Sequence, residues 1–338
     1  MSNRFIVGMS RAGTTWIGKC LNEHPDSMVF GESLFWGRGY IEPEQEDGSY
    51  TLPQLKKVLK SLEENSCAAF LGCQPGNLRK ISKEKVSSIC GELEKELSAK
   101  PTPSEVFLKF SSKLLAIENK AIAIEKTPHH IHWLSRILTA LPNSRFIVMV
   151  RNPYEFMLSY KHQGDRQPLI LRKKFEKLYH PIVCAYLWRG YFRSSIKAVK
   201  TYPKQTLLVF THEMKQNPSD TLLKVQDFLS LTPIADLAIR VPPDNSSFPN
   251  GQRPSLNSID LFWINCIAFK EISEFKFITQ RSDAKPLEIL KSILGLPIWS
   301  VWASWHLYRS TQGSPVKYLL HWFNQFIGTP HNNEKARG

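Results

Sequence analysis

The stretch near the start of the chain reads Arg4-Phe5-Ile6-Val7-Gly8-Met9-Ser10-Arg11-Ala12-Gly13-Thr14-Thr15-Trp16. Its apolar run, residues 5–7, is typical of a buried strand, and the two glycines bracket a polar loop that leads into a helix. Glycines let backbone N–H groups approach an anion, and a helix N-terminus adds partial positive charge. The stretch therefore predicts a strand, loop and helix that bind a phosphate-like anion.

The loop has the spacing of a nucleotide-binding P-loop, with one difference in its residues. Four residues separate Gly8 from Gly13, as in that motif, but Thr14 stands where the motif requires Lys. Arg11 is the only cationic side chain between the two glycines. The pattern thus indicates a phosphate-like ligand and argues against an ordinary magnesium-dependent nucleoside triphosphatase.

Further apolar runs alternate with helical periods along the chain and predict the fold class. The runs cover residues 28–30, 121–124, 145–150 and 206–210. Apolar strands separated by helices are typical of a parallel sheet covered on both faces. We therefore predict an α/β fold, a P-loop three-layer sandwich with a central parallel sheet of about five strands and helices on both faces.

Polar residues follow each of these runs, and they predict where the ligand binds. Ligands of open parallel sheets bind at the carboxyl ends of the strands. The residues expected at such ends are Arg11, Glu32, Lys126, Arg151 and His212. Their convergence on one edge of the sheet is the main structural basis for a single site.

Three regions fall outside this alternation and predict the domain organisation. Residues 37–115 read as a helical insertion that starts with an acidic surface loop at 37–50, and residues 244–253 form a polar loop. Residues 283–338 are rich in Trp, Leu and Ile, which predicts an aromatic-rich helical C-terminal tail after an α/β domain of residues 1–282. Such a tail packs onto the domain or a second subunit, or else lies peripherally on a membrane.

Composition limits the partners and the compartment. The net charge of +14 favours an anionic partner such as a nucleotide, an acidic or sulfated substrate, a membrane surface or nucleic acid. The basic residues are spread along the chain rather than gathered in one stripe, so we expect no nucleic acid partner. Six cysteines without paired spacing predict free thiols and no metal site. With no pattern of a signal peptide or transmembrane helix, we expect a cytoplasmic location.

A second motif carries chemistry that a P-loop alone does not explain. Arg151 follows the run at 145–150, and Ser159 lies eight residues further on, which two helical turns bring towards one anion. An arginine with a neighbouring hydroxyl suits a terminal phosphate.

Together the two motifs resemble those of the sulfotransferase family, which uses 3′-phosphoadenosine 5′-phosphosulfate (PAPS). Residues 10–16 are similar to the family's 5′-phosphosulfate loop, P-K-x-G-T-T-W, and residues 145–153 with Ser159-Tyr160 resemble its 3′-phosphate motif. The resemblance spans residues 4 to about 230. It implies PAPS as co-substrate, 3′-phosphoadenosine 5′-phosphate (PAP) as product and no metal. The donor contacts that it implies are Arg11, Ala12, Gly13, Thr14, Thr15, Trp16, Arg151 and Ser159.

The departures from the family pattern bear on catalysis. Arg11 replaces the usual loop lysine and keeps its positive charge. Lys126-Thr127-Pro128 stands where the small-molecule cytosolic branch has Lys-Thr-His, so the catalytic His of that branch is missing. Gly31-Glu32 fits the glutamate base of the tyrosylprotein and some carbohydrate branches. We predict a bacterial-type member like those branches.

The resemblance implies three catalytic roles. Glu32 is the expected base, with His129 and His130 as alternatives. Lys126 and Arg11 are expected to stabilise charge on the sulfuryl group. The acceptor is a hydroxyl-bearing carbohydrate, lipid, peptide or small metabolite, or less favourably an amine, and the sequence predicts neither the acceptor nor the oligomeric state.

Two other functions fit part of the pattern. A P-loop kinase or nucleoside triphosphatase fits the glycine spacing, with residues 122–125 as a strand that ends in a magnesium-directing acid. A non-catalytic basic module that binds membranes or nucleic acid fits the charge. Neither explains the Arg151 and Ser159 pair.

Overall fold

A five-stranded parallel sheet organises the computed structural model, which describes residues 3–37, 39–67, 83–97, 100–165, 169–237 and 254–311. The strands stand in the order β2-β3-β1-β4-β5. Their bounds are Arg4–Gly8 for β1, Ser27–Gly31 for β2, Ile122–Lys126 for β3, Arg145–Val150 for β4 and Thr206–Phe210 for β5. All four pairings are parallel, which confirms the predicted α/β class and the parallel sheet.

Successive residues of the inner strands are buried, although they point to opposite faces of the sheet. Residues 5–8 of β1 and 146–150 of β4 are buried without interruption. On one face the Phe5 ring stacks between Phe107 and Phe146, with centroid distances of 5.7 and 5.0 Å. Both faces of the sheet are therefore covered, as the continuous apolar runs predict.

Strand β3 is longer than its apolar run. The run predicts an end at residue 124, but the strand continues through Glu125 and Lys126, which stand opposite Phe30 and Gly31 of β2. Two charged residues therefore lie inside the sheet. The difference arises because polar partners from other parts of the chain satisfy both side chains, as described below.

The described residues fall into two compact units, and the sheet belongs to the first, Met1–Val150 and Lys197–Asn245. In this unit α1 packs against β1 and β2, α4 against β3, and α10 against β5. Its helices are α1 (Thr14–Asn22), α2 (Leu52–Cys67), α3 (Lys83–Glu96), α4 (Pro103–Glu118), α5 (Leu134–Ala140), α9 (Thr211–Gln216) and α10 (Pro218–Phe228). A 3₁₀ segment, Pro128–Trp133, precedes α5.

In the second unit, Arg151–Ile196 and Ser246–Gly338, the regular elements of the described residues are helices. Its helices are α6 (Pro153–Lys161), α7 (Leu169–Leu178), most of α8 (Pro181–Thr201), α11 (Ser258–Ile267), α12 (Phe269–Glu274) and α13 (Pro286–Thr311). The Asp260 carboxylate is buried in this unit, where Lys161 Nζ donates at 2.5 Å and Tyr179 Oη at 2.7 Å. A buried charge of this kind needs such partners, and its ion pair with Lys161 ties α6 to α11.

Helix α13 forms the described part of the predicted tail. Trp299 Nε1 donates to the Lys177 carbonyl at 3.0 Å, and Trp263 Nε1 donates to Ser292 Oγ at 2.9 Å, so one face packs within the second unit. Leu294 and Ile298 are exposed on the other face. No helix among the described residues is long and apolar enough to cross a membrane.

Two other predicted loops compare differently with the structure. The prediction of a surface loop at 37–50 is wrong at its C-terminal end. Tyr50 is 1 % exposed there, and its N–H donates to the Pro101 carbonyl at 2.8 Å. The polar loop at 244–253 lies outside the described residues, as do residues 312–338 of the tail.

Candidate active site

The predicted phosphate loop leaves the carboxyl end of β1 in a conformation that requires glycine. Gly8 has φ of +118°, and a Cβ placed there would lie 2.2 Å from the Met149 carbonyl oxygen of β4. Met9 N–H donates to that same carbonyl at 2.9 Å. The loop is therefore held against the neighbouring strand at its first residue.

The loop ends at the N-terminus of α1 in a way that suits an anion. Gly13 is the residue before the helix, with φ of 83°, and as a glycine it has no side chain to cap the first N–H groups. No acidic residue stands in the first turn. The dipole of the helix therefore favours a negatively charged group at this N-terminus.

Among the predicted loop residues, burial separates structural positions from open ones. Ala12, Thr14 and Trp16 are buried, whereas Arg11, Gly13 and Thr15 are partly exposed. Arg11 has φ of 65°, an uncommon conformation for a residue with a side chain. Arg11, Gly13 and Thr15 are thus the loop members that are open to solvent, and the donor contacts of the buried members stay predictions.

Thr211, at the start of α9, braces the loop from the end of β5. Its buried hydroxyl lies 2.8 Å from the Ala12 carbonyl and 3.0 Å from the Val150 carbonyl, and its single proton can be donated to either. The Gly13 position also faces this side chain, since a Cβ there would lie 3.7 Å from Thr211 Cγ2. The residue predicted at this strand end is His212, the next in the chain, and no local pattern indicates the brace formed by Thr211.

Glu32 and Lys126 form an ion pair at the carboxyl ends of β2 and β3. Lys126 Nζ donates to Glu32 Oε1 at 2.8 Å, and the two side chains are 6 % and 35 % exposed. Glu32 N–H also donates to the Lys126 carbonyl at 2.8 Å, which continues the pairing of the two strands by one residue. The structure thus brings together the predicted base and a predicted catalytic cation, with the carboxylate as the more exposed of the two.

The turn that carries Glu32 has a strained backbone. Glu32 and Leu34 have φ of 51° and 54°, in the left-handed region that favours glycine. Such a conformation costs a residue with a side chain about 1–2 kcal/mol. It persists only where surrounding contacts hold it, and strain of this kind is concentrated at functional sites.

Glu125, the residue before Lys126, lies fully buried behind the turn. Ser33 Oγ donates to its Oε1 at 2.8 Å and Ser33 N–H at 3.3 Å, and the Thr127 hydroxyl contacts the same oxygen. His130 Nδ1 lies 3.0 Å from Oε2. Burial raises the pKa of this carboxyl, but the His130 imidazole and the hydroxyl donors outweigh it and hold the pKa below its ordinary value.

The two histidines proposed as alternative bases have different surroundings. His130 is fully buried against Glu125, and its Nε2 has no hydrogen-bond partner among the described residues. His129 is partly exposed, in the 3₁₀ segment. Lys126 contacts Glu32, one of these three candidates, at 2.8 Å.

The predicted 3′-phosphate residues lie at the start of the second unit. Arg151 follows β4 in the chain, and its Nε donates to Glu155 Oε2 at 3.2 Å. The Asn152 side chain caps α6 by accepting from the Tyr154 and Glu155 N–H groups, with Pro153 in the first turn as expected. Ser159 is buried on the same helix.

The backbone of Arg151 is also held within its unit. Trp188 Nε1, on α8, donates to the Arg151 carbonyl at 2.9 Å. The guanidinium is 15 % exposed. The roles of Arg151 and Ser159 towards a 3′-phosphate stay predictions.

Comparison with known proteins places the chain in a family. The family model described as "Sulfotransferase family" matches residues 4–236, from β1 to beyond α10. The chain belongs to the sulfotransferase family. Among curated proteins, none matches this sulfotransferase. The family model does not distinguish the branches within the family.

Solved structures similar to this sulfotransferase include three bacterial proteins and domains. A sulfotransferase from Alicyclobacillus acidocaldarius is 16 % identical, covering 82 % of this chain and 99 % of its own, with a TM-score of 0.39. The sulfotransferase domain from the curacin biosynthetic pathway is 16 % identical, with coverages of 88 % and 97 % and a TM-score of 0.45. Sulfotransferase STF9 from Mycobacterium avium is 14 % identical, with coverages of 82 % and 78 % and a TM-score of 0.45.

The sequence motifs do not predict Ser33 and Thr211 as site residues, and they give Glu125 a role only in the kinase or triphosphatase alternative, as a magnesium-directing acid. The sequence around Glu125 gives a weak indication of its partners. It follows an apolar run and precedes Thr and His residues, whose side chains can donate hydrogen bonds to a carboxylate. Ser33 and Thr211 carry no such indication, since their partners are far away in sequence. In the described parts of the chain, no group of three or more His, Cys, Asp or Glu side chains has the arrangement of a metal site.

Proposed function

We propose that this sulfotransferase moves the sulfuryl group of PAPS to a hydroxyl group of its acceptor, with Glu32 as general base. The observation that carries the proposal is the Lys126–Glu32 pair at the strand ends, with its carboxylate partly exposed. A base and an electrostatic stabiliser are the two groups that sulfuryl transfer to a hydroxyl needs. Family membership supports sulfuryl transfer in general.

In the proposed reaction, the acceptor oxygen forms a bond to sulfur while the bond from sulfur to the 5′-phosphate oxygen breaks. Glu32 takes the hydroxyl proton, and PAP leaves with the electron pair of the broken bond. Arg11 and Lys126 stabilise the charge that develops on the sulfuryl oxygens and on the leaving phosphate. Thr14, Thr15 and the N–H groups of α1 hold the 5′-phosphate, and Arg151 with Ser159 holds the 3′-phosphate.

The Lys126–Glu32 pair gives the two residues a coupled role. With no ligand bound, each neutralises the other. A sulfuryl group near Lys126 competes with Glu32 for the ammonium, and a carboxylate that loses its cation is a better proton acceptor. Donor binding would therefore activate the base.

Burial favours Glu32 over His130 as the base. A base must reach the acceptor proton within hydrogen-bonding distance, and His130 is fully buried with its Nδ1 already facing Glu125. His129 remains the alternative to test by substitution.

Ligand binding separates the proposed function from its two rivals. We expect PAP to raise the melting temperature of the protein without Mg²⁺, and PAPS to be consumed against one class in a panel of carbohydrate, lipid, phenol and peptide acceptors. Binding of ATP that requires Mg²⁺ would instead favour a kinase or triphosphatase. Retention on anionic vesicles without any PAP binding would favour a non-catalytic membrane-binding module.

Other predictions stand beside this function without a structural test. They are the boundary between residues 282 and 283, the branch within the family, the cytoplasmic location and the peripheral membrane contact of the tail. The exposed apolar face of α13 supports a contact of the tail with a partner. Fractionation of cell extracts into cytosol and membranes tests the cytoplasmic location and the membrane contact.

A further inference from the structure

We propose that Glu125 is a positioning residue, whose buried carboxylate holds the Glu32 turn in its active conformation. The inference rests on the proposed role of Glu32, and the role it gives Glu125 differs from the magnesium-directing one that a kinase or triphosphatase would need. Glu125 and Lys126 are the last two residues of β3. They contact Ser33 and Glu32, the two residues that follow β2.

The four residues form a two-point clamp. Lys126 Nζ holds the Glu32 side chain at 2.8 Å, and Glu125 Oε1 accepts from Ser33 Oγ at 2.8 Å and from Ser33 N–H at 3.3 Å. Ser33 Oγ in turn lies 3.3 Å from the Phe35 N–H, which extends the hold along the turn. One contact orients the carboxylate of Glu32, and the other orients its backbone.

The turn needs such a clamp because its backbone is strained. Glu32 and Leu34 both have left-handed φ values, and Ser33 lies between them. Without an acceptor for the Ser33 N–H and hydroxyl, the turn would relax to an ordinary extended conformation. A relaxed turn carries the Glu32 carboxylate away from Lys126.

The carboxylate of Glu125 is itself fixed on both oxygens. Thr127 and Ser33 share Oε1, and His130 Nδ1 lies 3.0 Å from Oε2. Glu125 is 1 % exposed and His130 is 0 % exposed, so water does not compete for these bonds. The arrangement gives His130 a place in the clamp rather than at the reacting atoms.

Two variants test the clamp, with a control of the same kind. Glu125→Gln keeps the shape of the side chain and removes its charge, and Ser33→Ala removes the hydroxyl contact alone, which keeps the test open where the first variant does not fold. Ser111→Ala is the control, because Ser111 is a buried serine whose hydroxyl donates to the Phe107 carbonyl of its own helix, away from the turn.

The first measurement is hydrogen–deuterium exchange of a peptide that spans residues 31–37, which needs no substrate. We expect exchange about tenfold faster in Glu125→Gln and Ser33→Ala than in the wild-type protein, and unchanged in Ser111→Ala, since each clamp variant weakens the contact that holds the turn closed. Unchanged exchange in both clamp variants would overturn the proposal. This arm reports on the clamp even where the wild-type protein fails to bind PAP, which would refute the proposed function alone.

The second measurement is turnover of PAPS with the best acceptor of the panel. We expect Glu125→Gln to lower kcat at least about tenfold while the KM for PAPS and the affinity for PAP stay within about twofold. In the double variant with Glu32→Gln, the Glu125→Gln substitution should lower kcat no further, because the turn no longer carries a base to position. Independent, multiplicative losses in the double variant would show that Glu125 acts on overall structure and would overturn the positioning role.

Discussion

Lys126 Nζ and Glu32 Oε1 lie 2.8 Å apart, and Gly31, the residue before Glu32, stands opposite Lys126 in the sheet. The pairing of β2 with β3 therefore places the proposed base beside its cation, and the Glu125–Ser33 contact orients the turn that carries it. Because substitution of either side chain leaves the strand pairing in place, single substitutions at Glu32 or Lys126 test chemistry with little change to the fold.

Glu32→Gln should reduce turnover of PAPS by two or more orders of magnitude, as expected for loss of a general base. The amide keeps the size of the side chain but cannot take the acceptor proton. PAP affinity, measured by calorimetry, should persist. Glu23→Gln is the control, because Glu23 is an exposed carboxylate at the end of α1. Turnover like that of the wild-type protein in Glu32→Gln would refute the assignment of the base.

Arg151→Ala should weaken PAP binding by about 10-fold to 100-fold, the usual cost of a lost charge-assisted hydrogen bond. Arg172→Ala provides a matched control, since Arg151 and Arg172 each pair with a glutamate four residues later, at 3.2 and 3.0 Å. Arg172 is half exposed, and its loss should leave the affinity unchanged. Equal affinities for all three proteins would count against the 3′-phosphate role.

Gly8→Ala should lower the free energy of unfolding by at least about 2 kcal/mol. The new Cβ would lie 2.2 Å from the Met149 carbonyl oxygen, in a backbone conformation with φ of +118°. In contrast, Gly91→Ala in α3 should raise the stability by about 0.5–1 kcal/mol, because nothing lies within 4 Å of its Cβ position. Denaturant unfolding measures the change in the free energy of unfolding for each variant, and we expect the two changes to have opposite signs.

The contribution of Glu125 to stability should depend on pH in a defined direction. Its pKa is lowered in the folded protein, so the folded chain binds the proton less readily than the unfolded chain. The stabilisation is therefore present above the unfolded pKa of about 4.3 and is lost as the pH falls through the lower folded value. We expect Glu125→Gln to be less stable than wild type at pH about 7, and the gap to shrink below pH about 4.3. A gap that is constant with pH would exclude a charged Glu125.

Among the described cysteines, Cys266 should react first with iodoacetamide. It is exposed, whereas Cys20, Cys90 and Cys184 are buried. Burial raises the pKa of Cys20 to about 12 and raises that of Cys184 as well, which suppresses the reactive thiolate of both. Mass spectrometry of peptides from the native protein after brief labelling measures the order, and early labelling of Cys20 would contradict this packing.

Local pattern was sufficient for most of the sheet. Strand β4 begins and ends with its apolar run at residues 145–150, and β5 covers the predicted residues 206–210. In β4 the buried apolar residues define the element, whereas β5 follows its apolar run although it is only partly buried. The same pattern misjudged β3, because a charged residue reads as the end of a strand unless its partners are known.

The clamp and the loop brace lie beyond what a sequence pattern can show. Ser33 meets Glu125 across 92 positions, and Thr211 meets Ala12 across 199. Serine and threonine are common in polar loops, so neither residue signals a distant partner. The left-handed φ of Glu32 is equally hidden, since only contacts formed by the folded chain stabilise it.

The attachment of the phosphate loop at both ends has a consequence for how the donor binds. Met149 holds the loop at Met9, and Thr211 reaches it at Ala12, in both cases through protein atoms alone. The N–H groups that would meet a phosphate are therefore already aligned before any ligand arrives, and little chain entropy is lost on binding. Binding of this end of the donor should therefore need little rearrangement of the loop. Its association rate should be limited by diffusion and electrostatic attraction.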